Sequence, residues 1–369
     1  MARLSTTTPS AALARALAAA VAVIGPLDDA AMAEARARQD QLTKPQGSLG
    51  RLEELAIWAA GVTGCPMPVL RRKVIVTAAA DHGVAQRGVS AYPPEVTAQM
   101  VANFLAGGAA VNVLARCVGA RVVVVDAGVA ADLAPSRGLL SRRAGPGTAD
   151  LSAGPAMSRQ QALLCLASGL RVAAAQARRG IGALATGDMG IGNTTAGAAI
   201  IAALTQRPPR EVVGRGTGVD GATWRRKVRL VERALEVNAP DPADALDVLA
   251  KVGGFEHGFL AGAILAAASR RWPVVLDGLA SGASALLACR LAPQARDHLM
   301  ASHLSTEPGH RAAREHLGLT PLLDLKMRLG EGTGAALGLF LLEAACRLHR
   351  EMATFASAGV SDRQTRPPS

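Results

Sequence analysis

Aromatic side chains make up only 2% of this 369-residue sequence, with one Tyr, three Trp and five Phe. A core with so few rings must be built from Ala, Val, Leu and Ile, material that suits helices packed on strands. The same scarcity argues against stacking platforms for nucleic-acid bases. A basic tail is missing as well. The formal charge is +11, but Lys and Arg fall in short groups such as Arg71-Arg72-Lys73, Arg142-Arg143, Arg178-Arg179 and Arg225-Arg226-Lys227. That distribution favours phosphorylated small molecules over nucleic acid, and part of the Arg and Ala excess is equally compatible with compositional bias. No C-x-x-C pair occurs. Cys65, Cys117, Cys165, Cys289 and Cys346 are odd in number and widely spaced, which reads as buried thiols in a reducing, cytoplasmic compartment. No uninterrupted apolar run reaches the ~18 residues of a membrane span. Arg15 interrupts the apolar Ala11–Ile24 stretch, so an N-terminal helix is expected there rather than a signal peptide.

Several chemistries lack their residues. There is no H-E-x-x-H and no Cys/His cluster, and His303 and His310 could serve as ligands only if folding joined them, so no metal is expected. Triad hydrolysis has no G-x-S-x-G elbow, and the Gly187–Thr195 loop carries neither the lysine of a P-loop nor a complete G-x-G-x-x-G. Val122–Asp126 looks like the strand leading to a diphosphate-sugar loop, but the second acid and the threonines that should follow are missing. Asp126 then simply ends a strand.

What is present alternates. Strand-length apolar runs at Lys73–Ala80, Arg121–Asp126, Ala183–Thr186 and Val274–Asp277 each close on an acid or a glycine, with helical periods between them. The pattern predicts an α/β fold with a mostly parallel sheet covered on both faces, whose ligands gather at the carboxyl ends of the strands. The loops beginning at Asp81, Asp126, Asp188 and Asp277 are expected to share one crevice. Residues 1–26 form an Ala-rich arm. From Met352 to Ser369 the helical period fades, which predicts a disordered tail at 352–369.

Three glycine loops carry the candidate chemistry. Gly187-Asp188-Met189-Gly190-Ile191-Gly192-Asn193-Thr194-Thr195 opens a small-residue helix, as a phosphate cradle would. Gly214-Arg215-Gly216-Thr217-Gly218-Val219-Asp220 is followed by Lys227, which either reaches a phosphate or belongs to a solvated basic face with Arg225, Arg226 and Arg229. Ser281–Ser284 and Ser302–His310 read as further hydroxyl and glycine loops. Gly330-Glu331-Gly332-Thr333-Gly334 places one carboxylate directly before an apolar helix. Glu331 reads equally as a partner of the helix dipole, beside a Thr333 cap, and as a base.

Together these segments resemble one family, the nicotinate-nucleotide:dimethylbenzimidazole phosphoribosyltransferases. The matching motifs are Leu42–Pro45 with Gly47–Glu53, Ala80–Val84, Val96–Val101, Gly187–Thr195, Gly214–Asp220, Ser281–Ser284 and Gly330–Ala336. The resemblance implies a doubly wound, Rossmann-like sheet at about 70–305. A smaller helical part would come from both chain ends, about 27–69 and 306–351, within one domain at 27–351 and a homodimer. It implies transfer of the 5-phosphoribosyl group from nicotinate mononucleotide to 5,6-dimethylbenzimidazole, giving α-ribazole 5′-phosphate and nicotinate without a cofactor, in cobalamin lower-ligand synthesis. Glu331 would be the general base of a single inverting displacement. Gln99, Tyr92 and Leu329 would meet the acceptor base. Asp188, Gly190, Ile191, Gly192, Asn193, Thr194, Lys227, Ser305, Gly330, Gly332 and Gly334 would hold the nucleotide and its phosphate. Two departures stand out: Asp188 replaces a frequent Glu, and Ala91-Tyr92-Pro93-Pro94 stands where a serine can help line the base pocket.

Overall fold

Strand β1 (Lys73–Ala80) is buried along its whole length. Its Val74, Val76, Ala78 and Ala80 enter one hydrophobic cluster, while Ile75 and Ala79 enter another. A strand covered on both faces belongs inside a parallel sheet. The structure, a computed structural model that describes residues 9–361, places it there. β2 (Ala120–Gly128), β3 (Leu139–Ser141), β4 (Ala183–Met189), β5 (Val274–Leu276) and β6 (Leu299–Ala301) complete a six-stranded sheet in the order β3-β2-β1-β4-β5-β6. Every pairing is parallel. The strand order reverses between β1 and β4, which opens a crevice at their carboxyl ends. The four strands expected from the sequence are present. β3 and β6, each three residues long, were not anticipated.

Helices α1 (Pro9–Ala22), α2 (Asp29–Gln41) and α3 (Arg51–Thr63) precede β1. Between β1 and β2 lie α4 (Val96–Ala106) and α5 (Ala110–Cys117), and α6 (Arg159–Gln176) leads to β4. Next come α7 (Asn193–Thr205), α8 (Pro209–Val212), α9 (Gly221–Asn238), α10 (Ala245–Val252) and α11 (Phe255–Ala268). After β5 follow α12 (Leu279–Leu291), α13 (Pro308–His316), α14 (Thr333–Glu351) and α15 (Phe355–Ala358). One face of the sheet carries α6, α7, α11 and α12, and the other carries α4, α5 and α14. α2 and α3 pack on each other and on α14, so the two chain ends meet, whereas α13 packs on α12 and α7.

Two expectations are revised, while the absence of an uninterrupted apolar span stands: Val96–Cys117 has the length and mean hydropathy of one, but Gln99, Asn103 and Asn112 interrupt it and Gly107, at φ +81°, splits it into two helices. Ser281–Ser284 lies in α12 rather than in a loop, with the Thr186 hydroxyl 2.7 Å from Ser281 Oγ. The tail expected at 352–369 starts with structure: Thr354 bridges Leu42, and its hydroxyl accepts the Ser357 N–H at 3.1 Å to cap α15. Arg38 holds the same region by donating to the His349 carbonyl at 2.7 Å. Residues 1–8 of the expected arm and 362–369 of the tail lie outside the described residues.

α6 and α11 cross with their backbones in contact. A Cβ on Gly169 would lie 1.8 Å from the Phe259 carbonyl oxygen, and one on Gly262 would lie 1.9 Å from that of Leu166. Neither carbonyl can swing away without breaking its helix. Gly169→Ala is therefore expected to destabilise the fold by about 3 kcal/mol, read as a lower urea midpoint; a midpoint unchanged from the parent would refute the backbone contact.

Candidate active site

The crevice predicted by strand order is a cleft of about 680 Å³. Its walls come from four places: Val89, Ser90 and Tyr92 after β1, Val96 and Met100 on α4, the Asp188–Thr194 turn from the end of β4 into α7, and the Arg328–Glu331 segment before α14. Gly216, Thr217, Gly278, Ser305 and Glu307 also line it. The Asp126 loop, expected here, is absent from these walls and instead buttresses the Asp81 loop. Ala130 N–H donates to Asp81 Oδ2 at 2.8 Å, and Thr148 N–H to the Asp81 carbonyl at 3.0 Å.

Glu331 is held by its backbone. Gly330, Glu331 and Gly332 all have positive φ, at 88°, 64° and 102°, a conformation that costs a non-glycine residue about 1 kcal/mol or more. The surroundings enforce it: Glu331 N–H donates to the Asp188 carbonyl at 3.2 Å, and its own carbonyl accepts the Thr77 hydroxyl at 2.9 Å. Gly187 is pressed against the same peptide, since a Cβ there would lie 2.1 Å from the Glu331 carbonyl oxygen. The side chain is only 5% exposed, and its Oε2 has no hydrogen-bond partner among the described residues. Burial raises the Glu331 pKa above its ordinary 4.5, opposed by the Val111 N–H at the start of α5.

Glu331 does not serve as the cap of α14. That task falls to Asp277 at the end of β5, whose two carboxylate oxygens accept Gly332 N–H and Ala335 N–H, each at 3.0 Å. The Thr333 hydroxyl donates to the Gly330 carbonyl at 2.8 Å instead of capping. Asp188 is buried beside this acid, and burial first, then the Asp277 charge, pushes its pKa up to about 7. Asp188 accepts one side-chain bond, from Asn193 at 2.7 Å. Burial likewise pushes Asp277 up to about 7, against the backbone N–H groups of the helix start, which favour its charged form.

On the opposite wall, Lys227 faces inward while Arg225, Arg226 and Arg229 face solvent. It is 1% exposed and donates to Thr194 Oγ1 at 3.1 Å. Burial lowers its pKa, and the nearby Glu307 raises it. Glu307 accepts Gly216 N–H at 2.8 Å through Oε1, so an acid and a lysine brace the two glycine loops. Arg328 adds a 2.7 Å bond to the Gly216 carbonyl. Thr97 on α4 accepts the Ile191 N–H at 3.1 Å, tying the α4 wall to the Asp188 loop.

Most of the expected residues meet. Tyr92, Leu329, Asp188, Gly190, Ile191, Gly192, Asn193, Thr194, Ser305, Gly330 and Glu331 all line the cleft. Four stand apart. Gln99 falls on the solvent face of α4, because Val96 and Met100 form the cleft stripe and Thr97 and Val101 the buried one. Lys227 lies behind Thr194. Gly332 and Gly334 lie beneath the floor, where a Cβ would strike Ile75 Cγ2 at 2.6 Å or His303 Nδ1 at 1.9 Å. Ser90, one residue before the Ala91-Tyr92-Pro93-Pro94 departure, supplies a serine to the cleft.

Other groups were missed by sequence reasoning. His82 Nε2 and His257 Nδ1 stand 2.9 and 2.8 Å from Glu256 Oε1, all three side chains being fully enclosed. Despite burial, which favours protonation, His257 and His82 hold Glu256 well below the usual carboxylate range. Burial alone would lower His82, but Glu256 raises it. His82 hydrogen-bonds Glu256, His257 lies beside it, and the group supports the glycine loop from below: a Cβ on Gly192 would lie 3.2 Å from His82 Cβ. His303 and His310 do come together, with rings stacked at 5.8 Å, and burial keeps both below their ordinary pKa. Neutral rings can accept hydrogen bonds, as His310 Nδ1 does from Ser305 N–H at 3.2 Å.

The family described as Phosphoribosyltransferase matches residues 24–360. Nicotinate-nucleotide–dimethylbenzimidazole phosphoribosyltransferase of Roseiflexus sp. (strain RS-1) is 60% identical over 94% of this chain and 98% of its own. The protein of that name from Geobacter sulfurreducens is 51% identical over 94% and 98%. The crystal structure of the Thermus thermophilus protein of the same name superimposes with a TM-score of 0.86 at 50% identity, covering 91% of this chain and all of the other.

Asp188 gives the site a pH signature. Its folded pKa, about 7, lies above its ordinary 3.8, so its contribution to stability is fully present below about pH 4 and is lost as pH rises through 7. Urea denaturation of Asp188→Asn between pH 5 and 8 should therefore show a flatter stability curve than the parent; parallel curves would refute the raised pKa.

Proposed function

Since the chain belongs to the nicotinate-nucleotide–dimethylbenzimidazole phosphoribosyltransferase family, it transfers the 5-phosphoribosyl group from nicotinate mononucleotide to 5,6-dimethylbenzimidazole, and we propose that Glu331 is the base that completes this transfer. The reaction yields α-ribazole 5′-phosphate and nicotinate for the lower ligand of cobalamin. As one benzimidazole nitrogen attacks C1′, the other must lose its proton. Nicotinate departs as a neutral pyridine nitrogen from a cationic glycosidic bond, so the leaving group needs no acid. Direct displacement turns the β configuration into α. No diphosphate leaves, and the reaction places no demand on a metal clamp.

One observation carries the assignment: a buried carboxylate at the cleft wall, with one oxygen unpartnered and its backbone fixed by Asp188, Thr77 and Gly187. Burial makes that carboxylate a better proton acceptor than a solvated one. The apolar side of the cleft, with Tyr92, Val96, Met100 and Leu329, suits the acceptor ring. Asn193, Thr194 and Gly216 line the side on which Lys227 sits, and this side suits the nucleotide phosphate. Asp188 and Ser305 are assigned to the same nucleotide. Gly330, Gly332 and Gly334 then act by permitting the turn and its packing. Gln99 borders the acceptor side from the outer face of α4. We extend the reading to a cytoplasmic homodimer, with free thiols at all five cysteines, and to a small helical part in which α2 and α3 lean on α14.

Incubation with nicotinate mononucleotide and dimethylbenzimidazole, with no divalent metal added, should give α-ribazole phosphate by mass spectrometry. Glu331→Gln should lower kcat by about 10² or more while leaving the product unchanged. Activity of that variant within a few-fold of the parent would reject Glu331 as the base.

A further inference from the structure

A second concavity, about 910 Å³, lies along the β2–β3 edge of the sheet, whereas the active cleft opens where β1 meets β4 and extends toward β6. The two share no lining residue. Five arginines surround it: Arg121, Arg142, Arg171, Arg178 and Arg179. None of the five forms an ion pair among the described residues, and no carboxylate lines the cavity. Their recorded partners are neutral: Arg121 donates to Gln176 Oε1, and Arg142 to the Ser141 carbonyl at 2.5 Å. Elsewhere the chain pairs many of its arginines with acids, as Arg87 with Asp150 and Arg159 with Asp244.

We propose that this concavity is a second ligand site, one that binds a phosphorylated small molecule of nucleotide size. Like charges converging on one hollow repel one another unless an anion lies among them. The crowding is felt by Arg121, whose pKa is lowered by burial and then by the Arg179 charge. Guanidinium groups match phosphate oxygens in pairs, so five of them can hold a di- or triphosphate. The floor between them is apolar, formed by Val122, Val123, Leu140 and Val172, and offers contact to the organic body. A volume of this order fits a small organic ligand. A nucleic-acid duplex would instead meet a broad basic surface, and a single strand would find no aromatic side chain in the lining on which to stack.

Calorimetric titration of the full-length protein with ATP, its active cleft saturated with nicotinate mononucleotide, tests the site. ATP should bind with a Kd on the order of 10 μM and bind more weakly as salt rises. Arg171 and Arg178 are exposed and make no hydrogen bond among the described residues, so replacing both by Ala should leave the fold and the phosphoribosyl-transfer rate intact while weakening ATP by about tenfold or more. Arg142→Glu alone should act in the same direction. No binding at about 1 mM ATP, binding abolished by nicotinate mononucleotide, or an unchanged Kd in the double variant would each overturn the proposal. Inorganic triphosphate binding as tightly as ATP would overturn the role given to the apolar floor. Binding of single-stranded DNA in preference to ATP would overturn the small-molecule assignment. The transfer assay is a separate readout, so failure of this site leaves the role of Glu331 untouched.

Discussion

The grip of Asp277 on the start of α14 is the interaction on which the rest of the site depends. A helix beginning with Gly332-Thr333-Gly334 has orphan N–H groups that some acceptor must satisfy. The nearest acid in sequence is Glu331, and had it turned back as a cap it would be engaged and its pKa held down. Asp277 arrives from the end of β5 and takes Gly332 and Ala335 N–H instead. Glu331 is left over, buried at the cleft with an unpartnered oxygen. The sheet thus decides the chemistry of the helix: a carboxylate fixed by one strand frees a carboxylate fixed by a turn.

The cost of that arrangement is spread through its neighbours. Three consecutive residues with positive φ persist because Asp188, Thr77 and Gly187 enclose them on the sheet side. Behind the Asp188 loop, His82 and His257 flank Glu256 in a region where an isolated carboxylate would be expensive to bury. Lys227 and Glu307 brace the glycine loop after α8. The cleft wall thus carries the charged Asp188, Glu307, Arg328 and Glu331 beside backbone and apolar groups, while Lys227 and the His82–Glu256–His257 group sit one layer back.

What could be read from the chain follows the range of the interactions. β1, β2, β4 and β5 announce themselves as apolar runs, and the glycine spacing around Glu331 and Asp188 announces loops that approach a ligand. The motif alone divides Glu331 between cap and base, because the deciding residue lies 55 and 58 positions away from the two amides it accepts. His82 and Glu256 are 174 positions apart, and Glu307 carries no motif of its own. A matching segment points Gln99 to the cleft, yet helical rotation turns it outward and brings Val96 and Met100 in. β3 and β6 were not read, although β5 is no longer than they are.

The central claim is that burial outweighs the Val111 N–H and makes Glu331 a stronger base than an ordinary glutamate. Carbon-13 NMR titration of glutamate-labelled protein, with the Glu331 carboxyl resonance assigned by its loss in Glu331→Gln, measures this directly. The account predicts a midpoint above the ordinary 4.5. A midpoint at or below that value would mean that the α5 N-terminus outweighs burial, and would contradict it.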